Sequence, residues 1–143
     1  MGIRSVLTRL LGNRNESSTQ SQVHKANAAW RTIESRVEML DATYESAMEL
    51  LDEYDEQPTD ERKQKIEQAF RDLRDGWTAI EQEADAAMEY DNELERIRDT
   101  ARESADAYED WLREFEQRPE YFLKEYHNWD PEDLVAKSLK DDR

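Results

Sequence analysis

The chain has 143 residues, with 36 acidic and 20 basic side chains, and a formal net charge of −16. Charged residues make up 39% and hydrophobic residues 36%, whereas a compact domain has about 25% charged and about 45–50% apolar residues. This composition predicts a narrow helical core, excludes direct DNA or RNA binding, which needs a basic surface, and, without cysteine, excludes disulfides and thiolate chemistry.

The first predicted element is a short basic amphipathic helix at the N-terminus. Five apolar residues recur with i, i+3, i+4, i+7, i+8 spacing on one helix face: Ile3, Val6, Leu7, Leu10 and Leu11. The first 14 residues contain three arginines and no acid, so this segment is basic on an otherwise acidic chain. We therefore interpret residues 1–12 as a docking segment, and the polar residues 13–22 as a flexible linker.

Three hypotheses are open for the docking segment. Its apolar face could lie on a membrane surface, sit in a groove of a protein partner, or fold back on the chain's own helices. The polar linker favours the first two. If the host cell is rich in salt, screening leaves apolar contacts to provide most of the binding, since the Debye length is about 3 Å at 1 M.

The first long helix is predicted over residues 21–56. Apolar residues alternate at steps of three and four from Val23 to Tyr54, which is the a/d pattern of five heptads. Pro58 cannot continue a helix interior, and Thr59 or Asp60 is suited to cap the next helix.

The next heptad pattern covers residues 60–117, and it falters near Asp91–Asn92. A continuous helix would be about 87 Å long and would pair with the first helix as a long antiparallel, coiled-coil-like hairpin. A break near Asp91–Asn92 would instead produce a three-helix bundle. The continuous helix is favoured because this junction lacks the glycine or proline that usually marks a turn.

The continuous helix would outreach the first helix and leave an apolar stripe uncovered. A bare stripe of that size indicates an interaction surface, so we expect self-association or a protein partner here. The residues expected to form this surface are Leu94, Ile97, Tyr108, Leu112 and Phe115, with the C-terminal aromatic residues Tyr121, Phe122 and Trp129.

Residues 119–143 are predicted to form an aromatic-rich C-terminal cap on the body, residues 23–118. Asp130 as N-cap and Pro131 at the first helical position indicate a short final helix. The aromatic residues of this segment have two interpretations. They cover the open end of the bundle, or they anchor a partner, as aromatic residues do at interfaces.

We identify no candidate catalytic, cofactor-binding or metal-ligating residue, and expect neither an enzyme nor a cofactor. The two histidines, His24 and His127, both lack the Glu-x-x-His spacing of di-iron helical bundles. The chain has neither a glycine-rich phosphate loop nor a Gly-x-Ser-x-Gly elbow. Paired acids occur throughout, so their spacing indicates no acid–base chemistry.

Arginine outnumbers lysine by 14 to 6. Abundant acid with this preference indicates a salt-rich cytoplasm, where carboxylates keep the surface hydrated and salt screens their repulsion. An ordinary acidic coiled coil remains an alternative.

The leading hypothesis for function is a non-enzymatic structural or adaptor protein. It would be cytoplasmic, oligomeric or bound to a protein partner, and tethered through residues 2–11 to the inner face of a membrane or to a large assembly. A viral or mobile-element scaffold or connector, present in the virion, is the first alternative. An acidic inhibitor that mimics nucleic acid is the second.

Overall fold

The structure is a computed structural model that describes residues 20–126, and it is all-α over that range. Its four helices are α1 (Gln20–Glu56), α2 (Asp60–Ala87), α3 (Glu93–Gln117) and α4 (Pro119–Glu125). The all-α class predicted from the heptads is thus confirmed. Helix α1 begins inside the predicted linker, while the docking segment, linker residues 13–19 and residues 127–143 with their expected short helix lie outside the described residues.

The connection between α1 and α2 follows the local sequence signals. Helix α1 ends just before Pro58, and Thr59 has extended backbone angles of φ −134° and ψ 155°. The Thr59 hydroxyl accepts a hydrogen bond from the backbone N–H of Arg62 at 3.2 Å. Asp60 and Glu61 follow in the first turn, where the positive end of the helix dipole favours acidic residues.

The expected continuous helix over residues 60–117 is wrong, because the chain turns at residues 88–92 and forms the three-helix alternative. The turn uses short-range backbone hydrogen bonds, from Tyr90 N–H to the Ala87 carbonyl at 2.9 Å and from Asp91 N–H to the Met88 carbonyl at 3.3 Å. No described residue has a positive φ. These 3₁₀-type bonds reverse the chain without the conformations that favour glycine.

Asp91 links this turn to α1 and α3, because each of its carboxylate oxygens accepts a hydrogen bond. Its Oδ2 accepts a hydrogen bond from the indole Nε1–H of Trp30 at 2.9 Å. Its Oδ1 accepts a bond from the backbone N–H of Glu93 at 3.0 Å, at the first residue of α3. The carboxylate therefore satisfies an N–H that the helix start leaves without an intrahelical partner.

The pairing of α2 with α3 is antiparallel and is lined by ion pairs. Arg74 Nη1 lies 2.6 Å from Glu109 Oε2, and Arg102 Nε lies 2.8 Å from Glu81 Oε2. Further pairs join Arg71 to Glu116 and Arg98 to Asp85, each at 3.4 Å. These partly exposed pairs set the register more than the stability, since each is worth only about 0–1 kcal/mol.

All four described helices contribute to one core. Its largest fully buried side chains include Trp30 from α1, Trp77 from α2 and Trp111 from α3, which is the core packing expected of aromatic seam residues. At Gly76 the backbone of α2 lies close to Leu40 of α1. A Cβ built on Gly76 would lie 2.3 Å from Leu40 Cδ2.

The apolar stripe expected to be bare is instead part of this core. Because the chain turns back at residues 88–92, α3 packs along α2, and its apolar face is covered within the same chain. The residues of the expected stripe that are buried in this way are Leu94, Ile97, Tyr108, Leu112 and Phe115. The prediction that these five residues form a bare surface for self-association is therefore wrong.

Candidate interaction surfaces

The C-terminal aromatic residues that the structure describes divide between core and surface. Phe122 is fully buried, and its ring centroid lies 5.2 to 5.6 Å from those of Phe70, Trp111 and Phe115. It covers the end of the bundle, as one of the two interpretations predicts, and is not accessible to a partner. Trp129 lies outside the described residues.

Tyr121 is the member of the predicted partner surface that stays accessible, with 46% of its surface exposed. The Arg118 guanidinium lies 4.4 Å from its ring centroid, a favourable cation–π distance. These two residues border a shallow groove of about 280 Å³ that Asp110, Trp111 and Glu114 also line. The sequence thus predicted Tyr121 as an accessible aromatic residue at this end of the bundle. It did not predict its neighbours in the groove, Asp110, Glu114 and Arg118.

The net charge lies in the bundle. Residues 20–126 contain 30 acidic and 14 basic residues, a net −16, so the residues on either side balance to zero. The acids are unevenly spread, since residues 37–61 contain ten of them and no lysine or arginine. The C-terminal half of α1 is therefore strongly negative.

One row of these acids forms what we call the acidic face of α1. Its spacing of seven, four, three and four residues places all members on one side of the helix, over about 27 Å. The members are Glu38, Glu45, Glu49, Asp52 and Glu56, and all are exposed. The carboxylates of Glu45, Glu49, Asp52 and Glu56 form no ion pair with another residue in the range 20–126, in contrast to the α2–α3 pairs.

A groove of about 560 Å³ lies beside the acidic face, between α1 and α2. Its lining, which we call the α1–α2 groove, consists of Ala42, Thr43, Ser46 and Leu50 from α1 and Lys65, Gln68, Ala69 and Asp72 from α2. The groove is open because most of its α1 residues are small. Met39, one helical turn before it, is 69% exposed and is the most exposed large hydrophobic residue in the described range.

Sequence reasoning missed the α1–α2 groove. Its signal was a second stripe on α1, outside the a/d seam, in which Met39, Ala42, Ser46 and Leu50 follow steps of three and four. Serine is mostly exposed in proteins, and alanine has only a small apolar side chain, so this stripe did not stand out beside the stronger seam of large residues.

The titration behaviour of the bundle reflects ion pairing and burial. The hydrogen bond to Glu109, followed by that to Asp75, raises the pKa of Arg74 above its ordinary value. Burial is the largest cause that raises the pKa of Tyr54, and Asp60, Glu120 and Glu67 add to it. Both shifts keep the residues in their usual state at neutral pH, arginine charged and tyrosine neutral.

Metal ligands do not converge in residues 20–126, where no three His, Asp or Glu side chains are close enough to hold an ion. None of the helices α1 to α4 combines the length and the apolar character needed to cross a bilayer. The main surface features of the described bundle are thus the acidic face, the α1–α2 groove and the Tyr121 groove.

Comparison with protein-family models, with curated proteins and with solved structures found no match to this chain.

Proposed function

We propose that the chain is a non-enzymatic structural or adaptor protein. Its acidic three-helix bundle would be the presented body, and residues 2–11 would hold it to a membrane surface or a large assembly. The observation that carries the proposal is the separation of charge and apolar surface along the chain. The bundle carries the whole net charge of −16, whereas the first 14 residues carry three arginines, no acid and a regular apolar face.

The packing of the bundle supports this division of roles. The large apolar residues of α1, α2 and α3 face one another, and the two grooves are shallow. Their large apolar lining is limited to Leu50 in the α1–α2 groove and to Trp111 and Tyr121 in the Tyr121 groove. Such a body buries its large apolar residues within one chain, and its acids would suit a salt-rich cytoplasm. Attachment would then depend on the docking segment, whose five apolar residues match the pattern of interfacial and groove-binding helices.

Liposome flotation tests the membrane form of the proposal. We expect the full chain to float with vesicles that contain anionic lipid, and Leu10→Glu to abolish flotation because it places a charge in the apolar face. Thr8→Glu is the matched control, since it adds the same charge on the opposite side of the segment. Equal flotation of both variants with the parent chain would refute insertion of this face.

Co-sedimentation with a large particle tests the assembly form, which includes a viral or mobile-element scaffold or connector in a virion. Here the parent chain and Thr8→Glu should fractionate with the particle, while Leu10→Glu should remain with the free protein. Absence of the parent chain from both vesicle and particle fractions would refute tethering through residues 2–11.

The acidic face of α1 favours a second candidate, an inhibitor that mimics nucleic acid. The exposed carboxylates of this face would occupy a basic surface that otherwise binds phosphates. Glu45→Gln/Glu49→Gln should then weaken competition with DNA for a basic protein. Glu103→Gln/Asp106→Gln on α3 removes the same charge from exposed positions elsewhere and should compete as the parent does. Equal competition by both double variants would refute a role for this face.

A further inference from the structure

We propose that the α1–α2 groove is the docking site for residues 2–11 of a second copy of this chain. The inference rests on the proposed role of residues 2–11 as a docking segment, and it names one partner for that segment. Exchange of the segments in both directions would close a symmetric dimer, in which each interface uses the same two surfaces.

The first support is the chemistry of the groove. Ala42, Ser46 and Ala69 leave room for an approaching helix, while Met39 and Leu50 provide larger apolar contacts toward its two ends. A groove of this kind receives the apolar stripe of an amphipathic helix through residues spaced by three, four and seven. The docking segment has that spacing in its five apolar residues.

The second support is charge complementarity. The acidic face of α1 runs beside the groove, and residues 37–61 contain no basic residue. The docking segment carries Arg4 and Arg9 outside its apolar face, one on each flank, where long side chains would reach past the edges of the groove, and Arg14 follows. Complementary charge of this kind favours encounter and suppresses wrong partners, so the chain itself encodes a basic helix that the acidic face beside the groove would select.

The third support is the reach of the chain, which points to a second copy rather than to the chain's own segment. Ser46, at the centre of the groove, lies about 39 Å from Gln20 along the axis of α1. A ten-residue helix centred there would place Leu11 about 32 Å from Gln20 along that axis. The distance of about 8–10 Å between the axes of packed helices lengthens the direct path to about 33–34 Å. The nine residue steps between Leu11 and Gln20 span at most about 30–32 Å when fully extended.

Sedimentation equilibrium with complementary variants of the full chain tests the proposal. The donor variant Leu7→Glu/Leu10→Glu has a defective segment and an intact groove. The acceptor variant Ala42→Arg/Ser46→Arg has an intact segment and a groove blocked by two exposed substitutions. The control Glu103→Arg makes the same charge change of two on the exposed surface of α3.

We expect the parent chain and the control to approach twice the 17.0 kDa of one chain, and each defective variant alone to remain at that mass. An equal mixture of donor and acceptor variants should associate again, through the one interface that remains intact. A parent chain that stays at 17.0 kDa at all concentrations would overturn the proposal, and so would an acceptor variant that associates like the parent.

Flotation and particle binding of the same variants separate this inference from the proposed function. The acceptor variant has an intact docking segment and should still bind vesicles or particles, whereas the donor variant should not. Tethering without self-association of the parent would leave the proposed function in place and overturn the inference. Complementation without binding of the parent to vesicles or particles would leave the inference in place and refute the tethering.

Discussion

Replacement of Gly76 by alanine is a sharp test of how α1 and α2 pack. The new Cβ would lie 2.3 Å from Leu40 Cδ2 and 3.2 Å from Leu40 Cγ, whereas carbon atoms in good contact are about 3.5–4.0 Å apart. Leu40 is only 4% exposed, so its side chain must move against packed neighbours. Overpacking of this kind costs about 1–3 kcal/mol.

Helix propensity acts in the opposite direction. Alanine is favoured over glycine by about 0.8–1.0 kcal/mol in a helix interior, and Gly76 lies well inside α2. The difference between the two effects predicts that Gly76→Ala lowers the free energy of unfolding by about 1 kcal/mol. In a Leu40→Ala background the obstacle is gone, and the same substitution should raise the free energy of unfolding by about 0.8 kcal/mol.

Urea denaturation followed by circular dichroism measures both effects, provided that the slope of the transition stays constant among the variants. Leu40→Ala alone should cost about 2–5 kcal/mol, because it leaves a cavity. Ala79→Gly, at a partly exposed interior position of the same helix, supplies the propensity difference without the contact to Leu40. If Gly76→Ala has the same effect in both backgrounds, the close approach between α1 and α2 is refuted.

Three further predictions concern single contacts. Asp91→Ala leaves the Trp30 indole N–H without its acceptor and should lower the free energy of unfolding by about 1–3 kcal/mol. Asp91→Asn keeps one acceptor oxygen and should lower it by less. Equal losses of the two variants in urea denaturation would contradict this role of Asp91. The raised pKa of Tyr54 means that the fold favours the neutral phenol, so its stabilising effect is complete below pH 10.0 and is lost as pH rises through the folded-state pKa. Tyr54→Phe should therefore reduce the loss of stability between about pH 8 and about pH 11, and an unchanged pH dependence would argue against the shift. Arg74→Gln and Glu109→Gln, in a double-mutant cycle, should give a coupling of about 0.2–1 kcal/mol that shrinks in 1 M salt, whereas a coupling that is insensitive to salt would contradict a screened, partly exposed pair.

Local sequence signals were sufficient for the elements that depend on nearby residues. The five heptads from Val23 to Tyr54 correspond to α1, and Pro58 with Thr59 marks the start of α2, because apolar periodicity and capping are properties of adjacent residues. The basic, apolar character of residues 2–11 is likewise a property of the sequence, and the candidate docking role of that segment depends on it.

The turn at residues 88–92 depends instead on the tertiary structure. The local sequence contains neither glycine nor proline there, and the residue that fastens the turn, Asp91, binds Trp30 from 61 positions away. No reasoning from neighbouring residues could supply that contact. Because the chain reverses at residues 88–92, Leu94 and Phe115 lie in the core of a single chain and not on an exposed stripe.

The candidate interaction surface likewise depends partly on the sequence alone and partly on the tertiary structure. The sequence by itself determined that the chain is helical and acidic, since helix formation depends on periodicity, and net charge on composition. Only the packing of α1 against α2 decided that small residues such as Ala42 and Ala69 face each other across a groove beside the acidic face. A groove is a relation between two helices, and its shape depends on which side chains the tertiary structure brings together.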